Sequence, residues 1–189
     1  MADELIKLKN NDDVKAVVFR VNPPGGRAYI SEQIWRQVVE LKKVKPVVVS
    51  MGNVAASGGY YISCAANKII AEPNTLTGSI GIFGMFPNAS GLFGKLALTT
   101  DIVKTNTFSD LGDLSRPMTE SEKALIQGYV ERGYQTFLSR CAEGRGMTTE
   151  AVNAIGQGRV WTGEQAKERG LVDELGGIEL AISTAAGLA

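Results

Sequence analysis

Ser57 stands in the run Ala55-Ala56-Ser57-Gly58-Gly59, where the flanking residues carry almost no side-chain bulk. A serine placed there, between a strand and a helix, opens its hydroxyl to a substrate backbone, and the N–H groups that follow point outward at a helix N-terminus. Such a layout suits an activated nucleophile beside an oxyanion site. The run also reads as a tight turn in which glycine serves packing alone, and Ala55 departs from the Gly-x-Ser-x-Gly elbow. The chain contains no histidine. A Ser-His-Asp or Cys-His site built from these residues is thereby excluded, as is a histidine-ligated zinc. A nucleophilic Ser57 needs another base, and the alternative for serine is a lysine kept neutral by burial. Lys68, Lys95 and Lys104 are candidates by position, and each also reads as a solvated surface lysine.

The elements that would position Ser57 follow from periodicity. Val47 to Met51 is a short β-branched apolar run behind Pro46, which predicts a buried strand, and Tyr60 to Ala66 predicts a helix. Upstream, Val14 to Val21 predicts a strand running into Asn22-Pro23-Pro24-Gly25-Gly26, a turn with uncovered N–H groups. Ile30, Ile34, Val38 and Leu41 recur at helical spacing across Tyr29 to Lys43. Strand, glycine turn and helix thus occur twice. The repeat predicts parallel strands with both glycine turns at the carboxyl edge of one sheet, where ligands of open α/β folds bind.

Beyond Ala66, short strands are expected at Lys68 to Ala71 and Thr100 to Thr105, with a glycine-broken strand over Leu76 to Phe83. Gly78, Gly81 and Gly84 lack a phosphate-binding lysine and a suitable following helix, so no nucleotide site is expected. Leu92 to Leu96 reads as a short helix and Phe108 to Arg116 as a polar loop. Thr119 with Glu122 forms a capping box at the start of the longest helix, which runs to at least Cys141. The rest reads as three further helices, with Val160 to Gly163 as a turn and Leu171 to Glu174 as a strand.

The length suits one α/β domain over 1–189 with a helical C-terminal region. Formal net charge is zero, with no extended basic block, so no nucleic-acid partner is expected. Cys64 and Cys141 have no metal spacing and read as small buried hydrophobes. No run has the length of a membrane-spanning helix, so this chain alone reads as soluble. Leu5, Ile6 and Leu8 open the chain on an amphipathic pattern, which suggests a piece of something longer.

Several motifs occur in one order: Asn22-x-Pro-Gly-Gly, Pro46 to Met51 running into Ala-Ala-Ser-Gly-Gly-Tyr-Tyr-Ile-Ser, Thr77-Gly78-Ser79-Ile80-Gly81, Gly158-Arg159-Val160-Trp161-Thr162-Gly163, and Gly170-Leu171-Val172-Asp173. Together they resemble the signal peptide peptidase A family of bacterial serine proteases. The resemblance implies a Clp-protease and crotonase-like α/β fold of repeated βα units. It also implies a Ser-Lys dyad, without cofactor or metal, that degrades cleaved signal peptides at the bacterial inner membrane, on the periplasmic side. Ser57 matches the nucleophile. Gly58 and the Gly25-Gly26 turn match the oxyanion donors. Ser109 occupies the position of the lysine in short members of the family. In long, double-repeat members the C-terminal half keeps the serine and the N-terminal half supplies the lysine. The chain therefore resembles a C-terminal half, inactive or nearly so in isolation, whose expected partners are peptide substrates, the N-terminal half and further copies in a homo-oligomer. The turn Pro23-Pro24-Gly25-Gly26-Arg27 departs from the family's usual Ser-Pro-Gly-Gly-Ser. Two other classes compete: a non-catalytic half that serves assembly, and a crotonase-type acyl-CoA enzyme. The latter calls for an adenine pocket and a catalytic carboxylate, and no residues here identify either.

Overall fold

A computed structural model describes residues 1–189. In chain order the elements are α1 (Ala2–Lys9), β1 (Val17–Val21), α2 (Ala28–Lys42), β2 (Val47–Met51), β3 (Val54–Ala56), α3 (Gly58–Ser63), β4 (Lys68–Ala71) and β5 (Leu76–Gly78). Then come α4 (Ser90–Lys95), α5 (Glu120–Arg145), α6 (Thr149–Ile155), β6 (Val160–Thr162), α7 (Gly163–Glu168), β7 (Glu174–Leu175) and α8 (Ile178–Leu188). The chain divides into two compact units, residues 1–82 with 134–189, and residues 83–133.

The first unit is a mixed α/β body around a parallel sheet of order β1-β2-β4-β7. Val17 pairs with Val47, and Val48 with Lys68, so β1, β2 and β4 run in one direction and end on one edge. All five residues of β2 are buried, as expected of a largely apolar strand covered on both faces, and its one polar member, Ser50, accepts from Arg20 Nη1 at 2.6 Å. Alternation along β2 divides the core. Val47, Val49 and Met51 join the cluster that holds Trp35, Val38 and Leu41 of α2, whereas Val48 meets Ile70, Ala181 and Ala185 on the other face. Small alanines let α8 lie close on that face. Cys64 and Cys141 are free thiols buried in the larger cluster. No helix is long and apolar enough to cross a membrane.

A second sheet, of order β3-β5-β6, pairs β3 parallel and β6 antiparallel to β5. Here the structure departs from the sequence-based expectations. Val160 to Thr162 is a strand rather than a turn, because its partner β5 supplies the ladder. The strand expected over Leu76 to Phe83 stops at Gly78, where Gly78 and Ser79 take φ of 78° and 49° and break the extended chain. The strand expected over Leu171 to Glu174 is displaced to Glu174–Leu175. The first strand begins at Val17 rather than Val14.

The second unit contains α4 and the first half of α5. Thr100 to Thr105, expected as a strand, has no regular structure: its residues are exposed and no ladder partner pairs with them. An ion cluster organises this unit. Arg116 donates to Asp110 Oδ2 at 2.7 Å and to Glu122 Oε1 at 2.6 Å, and Lys104 lies 3.0 Å from Asp110. Glu122 also accepts from the Thr119 N–H at 2.7 Å, while Thr119 Oγ1 accepts from the Glu122 N–H at 3.3 Å, closing the capping box.

Arg116, followed by the Thr119 N–H, holds the Glu122 carboxyl down at about 2, from an ordinary 4.5. A depressed carboxyl contributes stability above its unfolded pKa and loses that stability as pH falls through the folded one. Residues 104–122 should therefore lose hydrogen-exchange protection progressively between pH 4.5 and 2. Arg116→Met should remove most of that dependence and lower protection at neutral pH. An exchange profile for the variant that follows the parent across the same range would refute this.

Candidate active site

β2 delivers the chain to the carboxyl edge of the sheet, and Gly52 turns it, its N–H donating to Val21 O at 2.8 Å. The short strand β3 then runs alongside the turn that follows β1. Asn22 Oδ1 accepts from the Val54 N–H at 3.2 Å, and Pro23 O accepts from the Ala56 N–H at 3.2 Å. Ser57 comes next. Its N–H donates to Gly78 O at 2.9 Å, and its carbonyl accepts from the Tyr61 N–H at 2.8 Å as α3 begins.

Pinned on both sides, Ser57 takes φ 50° and ψ −115°. A residue with a Cβ avoids this region, at a cost on the order of 1–3 kcal/mol, and such strain persists only where the surroundings over-determine it. It occurs here at the strand-to-helix corner, on the one residue of the turn with a nucleophilic side chain. Ser57 is half-buried, and its hydroxyl makes no hydrogen bond within the chain.

The two glycine turns meet at this serine. A Cβ placed on Gly25 would stand 3.3 Å from Ser57 Cβ and 3.7 Å from Ser57 Oγ, so the bare Gly25 backbone packs directly on the serine side chain. A Cβ on Gly58 would stand 2.7 Å from Ser31 Oγ, 2.9 Å from the Gly26 nitrogen and 3.2 Å from the Gly25 carbonyl carbon. Only glycine at 58 allows that approach. The Gly26 N–H donates to no group of the chain, and neither does the Gly58 N–H at the first position of α3. The structure thus brings Ser57, Gly25, Gly26 and Gly58 together. Of the two departures in the first turn, the Pro23 ring packs within 3.3 Å of a Gly59 Cβ position, and Arg27 is an exposed residue at the N-cap of α2.

The candidate lysines are all at the surface. Lys68 has a side chain 41% exposed and lies 4.0 Å from Asp173. Lys104 is engaged with Asp110, and Lys95 is exposed in the last turn of α4. Ser109 hydrogen-bonds Asn106 Oδ1 at 2.9 Å.

Behind α3, α2 is fixed by a polar and aromatic bracket. Glu32 accepts from Arg140 Nη2 at 2.7 Å and from the Tyr61 hydroxyl. Arg140 stacks over Trp35 at 4.0 Å, and Tyr61 packs on Phe137 at a centroid distance of 4.7 Å. Burial, and then Glu32, push the Tyr61 hydroxyl well above its ordinary pKa, so it stays a donor.

Two contributors escape a sequence reading. The Gly78 carbonyl holds the Ser57 N–H from another strand, and nothing local to Ser57 signals it. Ser31 did carry a signal: it stands at helical spacing with Trp35 and Val38 on the buried stripe of α2, a polar residue where the pattern calls for an apolar one.

A strained serine beside unengaged N–H groups, at the carboxyl edge of a parallel α/β sheet, is an arrangement suited to acyl transfer through a serine. Residues 39–189 match Peptidase family S49, and the chain belongs to that family. It is 43% identical to Protease 4 of Haemophilus influenzae over 96% of its own length and 29% of the relative's. It is 37% identical to the chloroplastic serine protease SPPA of Arabidopsis thaliana, over 98% of the chain and 28% of the relative. A putative signal peptide peptidase SppA of Enterococcus faecium is 39% identical over 96% of the chain and 53% of the relative. The chain thus spans about a third or less of the two longer relatives and about half of the third.

Proposed function

We propose that these residues are the serine-bearing, C-terminal half of a longer serine endopeptidase with a Clp-protease and crotonase-like fold, which degrades cleaved signal peptides. The observation that carries the reading is the strained corner at Ser57, φ 50°, seated against the unengaged Gly26 and Gly58 N–H groups. Membership of Peptidase family S49 and the names of the relatives support it.

In this mechanism Ser57 Oγ attacks the scissile carbonyl and passes its proton to a neutral lysine. The oxyanion that forms is held by the Gly58 and Gly26 N–H groups, with Gly25 giving the turn its close seat on the serine. The lysine returns the proton to the leaving amine, which leaves an acyl-Ser57 ester, and then activates water to hydrolyse it. The N-terminal half of the same polypeptide supplies that lysine, because Lys68 is solvated and Ser109 holds the position matched to the lysine of short relatives. No cofactor or metal enters any step. The intact protein works as a homo-oligomer at the periplasmic face of the bacterial inner membrane.

A fluorophosphonate probe read by intact mass tests the source of the base. Ser57 should label in the longer polypeptide that includes the upstream half, and should not label at a comparable rate in residues 1–189 alone. Equal labelling in both would place the base within this chain. Absence of labelling in both would remove Ser57 as the nucleophile.

A further inference from the structure

Ser31 behaves unlike the other buried serine of a helix in this protein. A helical serine ordinarily satisfies its hydroxyl on a carbonyl one turn back. Ser63 does so, donating to Gly59 O at 2.7 Å, and the exposed Ser139 donates to Gln135 O at 2.9 Å. Ser31 is only 6% exposed, and its N–H bonds Arg27 O at 3.0 Å, yet its hydroxyl turns away from that carbonyl and bonds nothing in the chain.

Instead it faces the two glycine turns. Ser31 Oγ stands 2.7 Å from the point a Gly58 Cβ would occupy, and the Gly26 nitrogen stands 2.9 Å from the same point. It is also 3.9 Å from the corresponding point on Gly26. The hydroxyl is not one of the fully enclosed orphan groups, which are Trp35 Nε1 and Ser115 Oγ, so it is not sealed off from an incoming group. Its aim is rigid. The next residue, Glu32, is held by Arg140 at 2.7 Å and by the Tyr61 hydroxyl, which ties the first turn of α2 to α3.

A hydroxyl that gives up its local acceptor costs about 1–3 kcal/mol if nothing else satisfies it. An alanine of nearly the same size would avoid that cost, so packing alone does not account for a serine here. We propose that Ser31 is a third donor of the oxyanion site, its O–H pointing at the negative oxygen of the tetrahedral intermediate together with the Gly26 and Gly58 N–H groups. The proton stays on Ser31, and no bond to it forms or breaks. The assignment rests on Ser57 being the nucleophile.

The test uses the intact peptidase and two peptides of one sequence: a boronate, which forms a tetrahedral anion on a serine hydroxyl, and the corresponding amide, which binds without forming one. Ser31→Ala should lower kcat about 100-fold with KM little changed, the scale of losing one donor to a developing oxyanion. It should weaken the boronate at least tenfold and leave amide affinity unchanged. A purely structural serine would weaken both ligands together or neither, and either outcome overturns the proposal. Ser57→Ala, assayed alongside, separates the two layers of the reading. If it keeps activity, the nucleophile assignment falls and takes the Ser31 proposal with it. If it abolishes activity while Ser31→Ala keeps kcat within about twofold, only the Ser31 proposal falls.

Discussion

Ser57→Ala in the intact peptidase should lower kcat for peptide hydrolysis by about 10⁴-fold or more, with KM nearly unchanged. Removing a serine nucleophile leaves only what binding and the oxyanion donors contribute over water. The corner geometry adds a second expectation. Ser57 holds φ 50° and ψ −115°, so Ser57→Gly removes a strain of about 1–3 kcal/mol and adds about 0.4–1 kcal/mol of unfolded-state entropy. Relief outweighs the entropy term. The glycine variant should be inactive yet unfold at the same or higher urea concentration than the parent. Steady-state kinetics and urea denaturation, run on one set of variants, read both effects. An active Ser57→Ala would show that the corner is not nucleophilic, and a glycine variant destabilised by more than about 1 kcal/mol would show that it is not strained.

Gly58→Ala should cost about 100- to 1000-fold in kcat through displacement rather than through loss of a group. The added Cβ would stand 2.9 Å from the Gly26 nitrogen and 3.2 Å from the Gly25 carbonyl carbon. Both are backbone atoms, so the first turn must move as a unit, and one donor leaves its line to the oxyanion. A misplacement of this size at a reacting centre costs far more in rate than in folding. Gly187→Ala is the comparison, since a Cβ there meets nothing within 4 Å. It lies in the last turn of α8, where the fraying helix end leaves alanine for glycine a gain of at most about 0.5 kcal/mol. Kinetics and thermal midpoints for the pair check the contrast. Retention of kcat within about threefold by Gly58→Ala would mean that the turns are free to separate, contrary to their close seat.

Much of this layout is legible in the residues themselves. The Val47–Met51 strand, the apolar stripe of α2, the capping box at Thr119 and Glu122 and the serine corner all depend on short-range patterns. The β3 and β6 strands were not legible. Three residues carry too little period to register, and these two exist as strands only because β5 lies between them. Thr100 to Thr105 shows the converse, a β-branched run with no neighbour to pair with.

Composition alone rules a histidine of this chain out of any hydrolytic chemistry, and the order of residues around Ser57 seats it where a strand gives way to a helix among neighbours without bulk. Those properties are composition and local stereochemistry, and they survive whatever the rest of the chain does. What Ser57 meets depends on long-range packing. The register of β1 on β2 brings the ends of both strands to one edge, which places Gly25 against the serine and Gly26 beside Gly58. Parallel pairing of β3 with β5 sets Gly78 O on the Ser57 N–H, and the crossing of α2 over α3 turns the Ser31 hydroxyl toward the same spot. Contacts between distant segments depend on strand order and helix crossing, which arise when the whole core is buried at once, and no local pattern encodes them.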